Sequence, residues 1–294
     1  MKPEVLIILT NYSRPQNMPK VIQAWRDQTV KCKIVVVDNS KYMGDTNRKN
    51  PTYWADPSGC EQYPAYLLSG DGYDAPDDVW RWTENSGCPC WMAPAMMLYG
   101  HRYVLRADDD LLPGKRAVEM LLATAKGLRD EFSTIGQIGR VFAHLMAPDL
   151  TGLPRYVRED QPIPTKFSMA YSKGNAPRQI GLAPTKVDLT CRASFMRAEV
   201  AQWFVMFRNM LLNKSPERAL HLVGVHDDFL LCMGTQYWSA LPSYIIGQSG
   251  DPDYELIKTN LENGQESVWK RPNHFEERNE MVQLCYSVGW RSFV

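Results

Sequence analysis

The sequence lacks any apolar run long enough to cross a lipid bilayer. The first apolar stretch, residues 5–9, is only five residues long. A spanning helix needs about 20 apolar residues, and the apolar region of a signal peptide needs at least about seven. We therefore expect a soluble, cytoplasmic protein without a signal peptide, although a lumenal domain cut from a membrane-anchored enzyme would show the same pattern.

An excess of charge of either sign is also absent, because 33 Lys and Arg residues balance 33 Asp and Glu residues. This balance excludes binding to nucleic acid or to an anionic membrane by bulk charge alone, but it allows a local basic patch. The seven cysteines are scattered and do not form the framework of a small secreted protein. Only Cys60, Cys88 and Cys90 cluster. They make either a structural zinc site or reduced thiols in a loop, and without a Cys-x-x-Cys pair we expect thiols.

Two short apolar runs near the start predict a parallel sheet. Residues 5–9 and 34–37 are continuously apolar and rich in β-branched side chains, as is typical of strands buried on both faces. Between them Val21, Ile22 and Trp25 fall at helical spacing after Pro19, which suits a first helical turn. The sequence therefore predicts a βαβ unit, and such units bind ligands at the carboxyl ends of their strands.

The rest of the chain continues this mixed pattern. Further strands are predicted at 103–107, 135–142 and 187–196. Helices are predicted near 77–84, after Pro113, and at 199–212, 227–233 and 275–286. We expect a single α/β domain over residues 1–294, with a mainly parallel central sheet and large loop insertions at 41–90 and 147–186. Its halves are expected to be 1–112 and 113–294.

Three consecutive carboxylates, Asp108, Asp109 and Asp110, follow the strand predicted at 103–107. Adjacent carboxylates repel one another unless a cation neutralises them, and hard divalent cations prefer oxygen ligands. The alternative is a solvated acidic turn before the next helix. The position of the triplet at a strand's carboxyl end favours a metal site.

Other polar residues stand at comparable positions. Thr10, Asn11 and Arg14 follow the first predicted strand, and Asp38 and Asn39 follow the second. An arginine in such a loop suits a phosphate, and an aspartate suits a base or ribose donor. Later in the chain, Asp227 and Asp228 begin a predicted helix, where the helix dipole stabilises them whatever their function. The functional alternative is a general base. His274 is a candidate nitrogen ligand for a metal held by Asp110.

Together these residues resemble the GT-A fold nucleotide-sugar glycosyltransferases. The stretches VLIILTNYSRP from residue 5, AWRDQT from residue 24 and IVVVDNS from residue 34 are similar to the opening of glycosyltransferase family 2. The Asp triplet resembles the DxD motif of that family, and Asp227 and Asp228 stand in place of its later acidic motif. The stretch HFEER from residue 274 resembles a C-terminal segment of the exostosin-type enzymes of family 64.

The resemblance implies a role for each matched residue. Asp110 would bind Mn²⁺ or Mg²⁺ at the diphosphate, with His274 as a further ligand. Asp228, or failing that Asp227, would be the catalytic carboxylate. Asp108 would contact the ribose. The residues that would hold the nucleotide are Thr10, Asn11, Arg14, Asp38, Asn39, Asp108 and Asp109.

The sequence departs from the families that it resembles. Family 2 usually has Glu-Asp where this chain has Asp227 and Asp228. The Gln-x-x-Arg-Trp motif of processive synthases is absent, so processive synthesis is not expected. Family 2 enzymes invert and family 64 enzymes retain the anomeric configuration. Both outcomes stay open, and the longer match favours inversion.

The acceptor is suggested only by a basic segment. Residues 155–208 hold nine Lys and Arg residues against four Asp and Glu residues, and Tyr156, Phe167 and Tyr171 lie among them. This excess either compensates for acidic residues elsewhere or serves an acidic acceptor. Acidic acceptors include a glycan, a lipid phosphate, and a hydroxymethylated base in DNA of the phage type. Aromatic residues at 53–66 and 80–82 suit either sugar stacking or packing.

Two other functions use the same features. A sugar-nucleotide pyrophosphorylase would show a glycine-rich phosphate loop after the first strand, but residues 10–15 contain no glycine. A non-catalytic module that binds sugar or nucleic acid could keep the fold without turnover. The intact Asp triplet and the pair Asp227 and Asp228 favour an enzyme over this alternative.

Overall fold

The computed structural model describes residues 3–11, 14, 17–39, 76–81, 87–92, 95, 100–129, 132–142, 183–247, 249–261 and 272–293. The chain divides into two compact units, and each is made from two separate stretches of sequence. The first unit comprises Met1–Glu119 and Asp251–Glu266, and the second comprises Met120–Gly250 and Ser267–Val294. None of the helices in the described part of the chain combines the length and the apolar character that a membrane span requires.

A parallel sheet forms the core of the first unit. Its strands run in the order β3-β2-β1-β4, and every neighbouring pair is parallel. All five side chains at 5–9 are fully buried, which explains the uninterrupted apolar run. The predicted βαβ unit and the mixed α/β class with a mainly parallel sheet are confirmed. The elements are β1 (Val5–Asn11), α1 (Met18–Arg26), β2 (Cys32–Asp38), β3 (Asp78–Arg81), a short 3₁₀ helix (Cys88–Trp91) and β4 (Tyr103–Asp108).

A distant segment completes this unit. The short strand β5 (Leu111–Leu112) pairs antiparallel with β12 (Thr259–Asn260), which follows a 3₁₀ turn at Pro252–Tyr254. Gly114 donates its backbone N–H to the carbonyl of Glu255 at 2.7 Å. A Cβ on Gly114 would lie 2.2 Å from the carbonyl oxygen of Pro252, so only glycine allows this approach.

The second unit combines short strands with several helices. One group of strands has the order β10-β6-β11-β8, and a separate pair joins β7 to β9. Gly234 lets two of the helices approach closely, because a Cβ there would lie 3.1 Å from the Cβ of Phe207. The strands are β6 (Ile135–Gly136), β7 (Ile138–Arg140), β8 (Thr185–Val187), β9 (Leu189–Cys191), β10 (Ala193–Arg197) and β11 (Ser243–Ile245). The helices are α3 (Val200–Lys214), α4 (Pro216–Val225), α5 (Asp227–Ser239) and α6 (His274–Ser287), while α2 (Ala117–Leu128) spans the boundary between the stretches of the two units.

The helix predicted near 77–84 is wrong, because Asp78–Arg81 forms strand β3 beside β2. Val79 and Trp80 favour an extended backbone. Asp77 fixes the segment, since its carboxylate accepts a hydrogen bond of 2.6 Å from the backbone of Ile34. These tertiary contacts prevail over the helical tendency of the flanking residues.

The strands predicted over 135–142 and 187–196 are each broken into shorter ones. The first breaks at Gln137 into β6 and β7, which pair with different partners. The second breaks at Asp188, whose buried side chain bonds the backbone of Phe142, and at Arg192, whose φ of 67° is left-handed. The predicted helices at 199–212, 227–233 and 275–286 are confirmed as α3, α5 and α6, with different ends. Helix α4 was not predicted.

Asp188 gives the second unit a pH-dependent stability. Its carboxylate accepts hydrogen bonds from the Phe142 backbone at 2.8 Å and from the Ser292 hydroxyl at 2.6 Å. Burial raises the pKa of Asp188 from 3.8 to about 6, although these hydrogen bonds oppose the change. The folded state therefore binds a proton more tightly than the unfolded state. Its stabilising contribution is complete below about pH 4 and is lost as the pH rises through about 6.

We expect the wild-type protein to lose stability relative to Asp188→Asn between pH 4 and pH 7. The two pKa values differ by about two units, and each unit is worth about 1.4 kcal/mol, so the loss should reach about 3 kcal/mol. Urea unfolding of both proteins across this range measures it. Subtracting the free energy of unfolding of Asp188→Asn from that of the wild type at each pH removes the contribution of the other titrating groups. A difference that stays constant with pH would contradict the prediction.

Candidate functional site

Polar side chains gather at the carboxyl ends of three parallel strands in the first unit. Asn11 and Asp38 were predicted to follow the first two strands. They are instead the last residues of β1 and β2, and they lie opposite each other in register. The Asn11 side-chain amide donates to the Asp38 carboxylate at 3.2 Å, and both residues are buried. Thr10 lies opposite Asp108, the last residue of β4. The structure thus brings the predicted nucleotide-binding residues of three strands to one edge of the sheet.

Asn39 fixes the chain just beyond β2. Its backbone N–H donates to the carbonyl of Asn11 at 2.9 Å, and its side-chain amide donates to the carbonyl of Gly87 at 2.9 Å. These bonds connect the ends of β1 and β2 to the residue preceding the 3₁₀ helix. The edge of the sheet is therefore held by hydrogen bonds at the place where α/β sheets bind ligands.

Arg14 binds two of the three carboxylates in the Asp triplet. Its Nε donates to Oδ1 of Asp109 at 2.8 Å, and its Nη1 donates to Oδ2 of Asp110 at 3.0 Å. Nη2 of Arg14 also pairs with Oδ1 of Asp109. The third carboxylate, on Asp108, pairs with Arg106 at 2.7 Å. Two arginines thus offset part of the repulsion that the sequence predicted among these carboxylates.

The electrostatics of the triplet reflect burial and charge together. Burial raises the pKa of Asp109 to about 6, against the opposing charge and hydrogen bond of Arg14. Burial lowers the pKa of Arg14, but the charges of Asp109 and Asp110 outweigh burial and raise it overall. The guanidinium therefore stays positively charged, and it stabilises the ionised form of Asp109.

One oxygen of the triplet stands apart. Asp110 is only 6% exposed, and its Oδ1 is buried without a hydrogen-bond partner among the described residues. The backbone carbonyl of Asp110 accepts from the N–H of Leu261 at 2.8 Å, which fixes the turn. A buried anionic oxygen without a donor fits a hard cation that takes its other ligands from substrate oxygens and water. Within the described ranges, no three His, Cys, Asp or Glu side chains are grouped as a ready-made metal site.

A second polar cluster lies in the second unit, at the start of α5. Asp228 receives a hydrogen bond of 2.6 Å from Arg278, and its other oxygen bonds the backbone N–H of Phe229 at 3.0 Å. The Arg278 guanidinium also lies over the Phe229 ring, 4.5 Å from its centre. Asp227, beside Asp228, is buried. Asp228 is therefore held in one orientation by a charged partner that the sequence analysis did not predict.

The second polar cluster also contains two histidines. His226 precedes α5 and lies 3.3 Å from the carboxylate of Glu277, measured from its Nε2. The rings of His226 and His274 are 5.6 Å apart between centres. Burial lowers the pKa of His226 to about 3, and the positive charge of Arg278 adds to this effect. His226 is thus neutral at pH 7. The sequence predicted a role for His274 but none for His226.

The residues that sequence reasoning missed had usable signals. Arg106 stands two positions before Asp108 in a strand, and residues so spaced point to the same face of a sheet. Glu277 and Arg278 follow His274 by three and four positions in a helix, which places all three on one face. The contact of Arg14 with the Asp triplet joins residues 95 and 96 positions apart, and no local pattern predicts it.

Several predicted features lie outside the described residues. Cys88 is partly exposed and Cys90 is buried, but Cys60 is not described, so the zinc alternative stays a prediction. Of the basic segment, Lys186, Arg192, Arg197 and Arg208 are described. Outside the description are its other five basic residues (Arg155, Arg158, Lys166, Lys173 and Arg178), the aromatic residues Tyr156, Phe167 and Tyr171, and the stretch 53–66.

Comparisons with known proteins find likenesses among solved structures. No protein-family model matches the chain, and no curated protein matches it in sequence. Among solved structures, the crystal structure of S. aureus TarS, a glycosyltransferase, matches with a TM-score of 0.41 and 13% sequence identity. The match covers 85% of this chain and 36% of TarS, so the chain spans about a third of that protein.

Proposed function

We propose that this protein is a metal-dependent glycosyltransferase that moves a sugar from a nucleotide diphosphate sugar to a hydroxyl acceptor. One observation carries the proposal. Oδ1 of Asp110 is buried and has no hydrogen-bond partner among the described residues, and it belongs to an Asp triplet that begins at the carboxyl end of β4, the edge at which α/β sheets bind nucleotides. The sequence resemblance to family 2 supports the same function.

The first unit would hold the donor. Asn11, Asp38 and Asn39 offer amide and carboxylate groups to a base and ribose, and Asp108 offers a carboxylate to the ribose. Asp110 would hold Mn²⁺ or Mg²⁺, with Asp109 beside it. When bound, such a cation stabilises negative charge on a leaving diphosphate. UDP is our first candidate for the nucleotide because it is the commonest choice among enzymes with a DxD motif.

The second unit would supply the catalytic carboxylate. We assign this role to Asp228, with Asp227 as the alternative, because Arg278 and the Phe229 backbone fix the Asp228 carboxylate in place. In an inverting reaction this carboxylate removes the proton of the incoming hydroxyl, which is worth about 10²–10⁴-fold in rate. His274 is proposed as a further ligand of the cation. For the acceptor we propose a glycan or a hydroxymethylated base in DNA, on the basis of the basic composition of residues 155–208.

A second candidate is a non-catalytic module that binds a sugar or nucleic acid. The observation that favours it is the contact of Arg14 with Asp109 and Asp110, which offsets part of the negative charge of the triplet without a metal. Release of free nucleotide from a sugar nucleotide, with or without an acceptor, separates the two candidates. Only the glycosyltransferase turns over its donor.

The test is a calorimetric titration with UDP, GDP, CDP and dTDP, each with and without Mn²⁺. We expect one nucleotide to bind in a metal-dependent manner, and Asp110→Asn to weaken this binding at least about tenfold, since a carboxylate ligand is lost. Asp27→Asn is the matched control. Asp27 follows the C-terminal end of α1, where its side chain accepts a hydrogen bond from Gln23. Absence of nucleotide binding by the wild-type protein under every metal condition would refute the proposal.

A further inference from the structure

The guanidinium of Arg14 occupies the carboxylates that a divalent cation would need. It donates to Asp109 at 2.8 Å and to Asp110 at 3.0 Å, so one side chain bridges both. The Arg14 side chain is 20% exposed, whereas those of Asp109 and Asp110 are 3% and 9% exposed. Of the three, the arginine therefore has the most contact with solvent and is the easiest to move.

The charge balance of the cluster supports competition between Arg14 and a cation. Arg14 and Arg106 bring two positive charges to the three carboxylates of Asp108, Asp109 and Asp110. Counted over these five side chains, adding a divalent cation while Arg14 stays in place would leave a net positive charge and would bring like charges together. If Arg14 leaves, the cation meets two carboxylates. Oδ1 of Asp110, which has no hydrogen-bond partner in the described part of the chain, then gains a ligand.

We propose that Arg14 is a built-in counter-ion, which a divalent cation displaces from Asp109 and Asp110 and which then pairs with the anionic diphosphate of the donor. This inference rests on the proposed cation site but not on the identity of the base, sugar or acceptor. Its consequence is cooperativity. A diphosphate that takes Arg14 lowers the cost of cation entry, and by linkage the cation raises the affinity for the diphosphate by the same factor.

The first test measures Mn²⁺ binding without nucleotide, from the paramagnetic resonance signal of the free ion. Arg14→Met removes the competing charge while keeping an apolar stem. We expect it to bind Mn²⁺ at least about tenfold more tightly than the wild type, because the ion no longer displaces a cation. Arg14→Lys keeps the charge but loses the fork that bridges two carboxylates, so its affinity should fall between the two.

Three controls isolate the cause. Arg26→Met removes an arginine of the same unit that pairs with Asp77 at 2.9 Å, and it should leave Mn²⁺ affinity unchanged. The double variant with Arg14→Met and Asp110→Asn should lose the gain. Inorganic pyrophosphate should raise the Mn²⁺ affinity of the wild type more than that of Arg14→Met, because only the wild type has an arginine that can move from the carboxylates to the phosphates.

The outcomes distinguish this inference from the proposed function. Mn²⁺ binding that is equal or weaker in Arg14→Met and in Arg14→Lys would overturn the inference while leaving the cation site intact. A gain that survives Asp110→Asn would overturn it as well. If neither the wild type nor any variant binds Mn²⁺, the cation site itself fails, and with it the metal-dependent part of the proposed function. Should Arg14→Met prove too unstable to purify, Arg14→Lys alone decides the matter.

Discussion

Replacing Arg278 by methionine is expected to lower the free energy of unfolding by about 3 kcal/mol. The substitution leaves Asp228 largely buried without its charged partner, and breaking a buried ion pair from one side typically costs about 3–5 kcal/mol. We expect the lower end because the Asp228 side chain is still 16% exposed. Methionine keeps an apolar side chain beside Phe229, so the loss of packing is small. Urea unfolding at pH 7 measures the change.

A double-mutant cycle with Asp228→Asn gives the coupling between the two side chains. The double variant should lose less stability than the sum of the single variants, because it leaves neither charge unpaired. Arg218→Met is the matched control. Arg218 pairs with Glu280, which lies on α6 as Arg278 does, but both side chains of this pair are about half exposed. Such surface pairs are worth about 0–1 kcal/mol. An equally large loss in the control would contradict our account of Arg278.

The charge of Arg278 also affects the pKa of His226. Burial is the main reason that the pKa of His226 falls to about 3, and Arg278 is the next cause. In Arg278→Met the pKa of His226 should rise, while burial keeps it below 6.5. Nuclear magnetic resonance of the ring protons during an acid titration reports it. This shift would not follow from a loss of packing alone.

Gln236→Leu should destabilise the protein by a similar amount, about 3 kcal/mol. The Gln236 side chain is fully enclosed and donates to the carbonyl of Asp188 at 2.7 Å and to the hydroxyl of Ser243 at 2.9 Å. Its oxygen accepts the indole N–H of Trp290 at 2.9 Å. Leucine has nearly the same size but offers none of these bonds. Each buried group that loses its partner costs about 1–3 kcal/mol.

Gln202→Leu provides the control for this substitution, because Gln202 is exposed on α3. It should change the free energy of unfolding by less than about 0.5 kcal/mol. Urea unfolding of the two variants under identical conditions compares them directly. If both variants are as stable as the wild type, the polar contacts of Gln236 contribute nothing, and the apolar packing of the second unit alone holds Trp290.

The N-terminal βαβ unit could be predicted because its sequence signals are local. The apolar runs at 5–9 and 34–37 and the helical spacing of Val21, Ile22 and Trp25 each concern side chains close in sequence. Their consequence, polar residues at one edge of a parallel sheet, follows from the βαβ topology. The Asp triplet was predicted at that edge for the same reason, and the structure places Asp108 opposite Thr10.

The contacts that govern the charges could not be predicted in this way. Arg14 meets Asp109 across 95 positions, and Arg278 meets Asp228 across 50. No periodicity connects residues so far apart, because their meeting depends on how whole elements pack. Helix α4 is a different case. Ser215, Pro216 and Glu217 form a recognisable helix start, although no helix is predicted between 212 and 227.

The discontinuity of the first unit bears on how the protein is made. A ribosome delivers residues 1–119 first, but Leu261 bonds the carbonyl of Asp110, and β12 pairs with β5. These contacts cannot form until residues 259–261 have been synthesised, well after the Asp triplet itself. The turn that carries the Asp triplet therefore waits for a segment that is synthesised later, and a nascent chain completes this acidic edge only after residue 261 has left the ribosome.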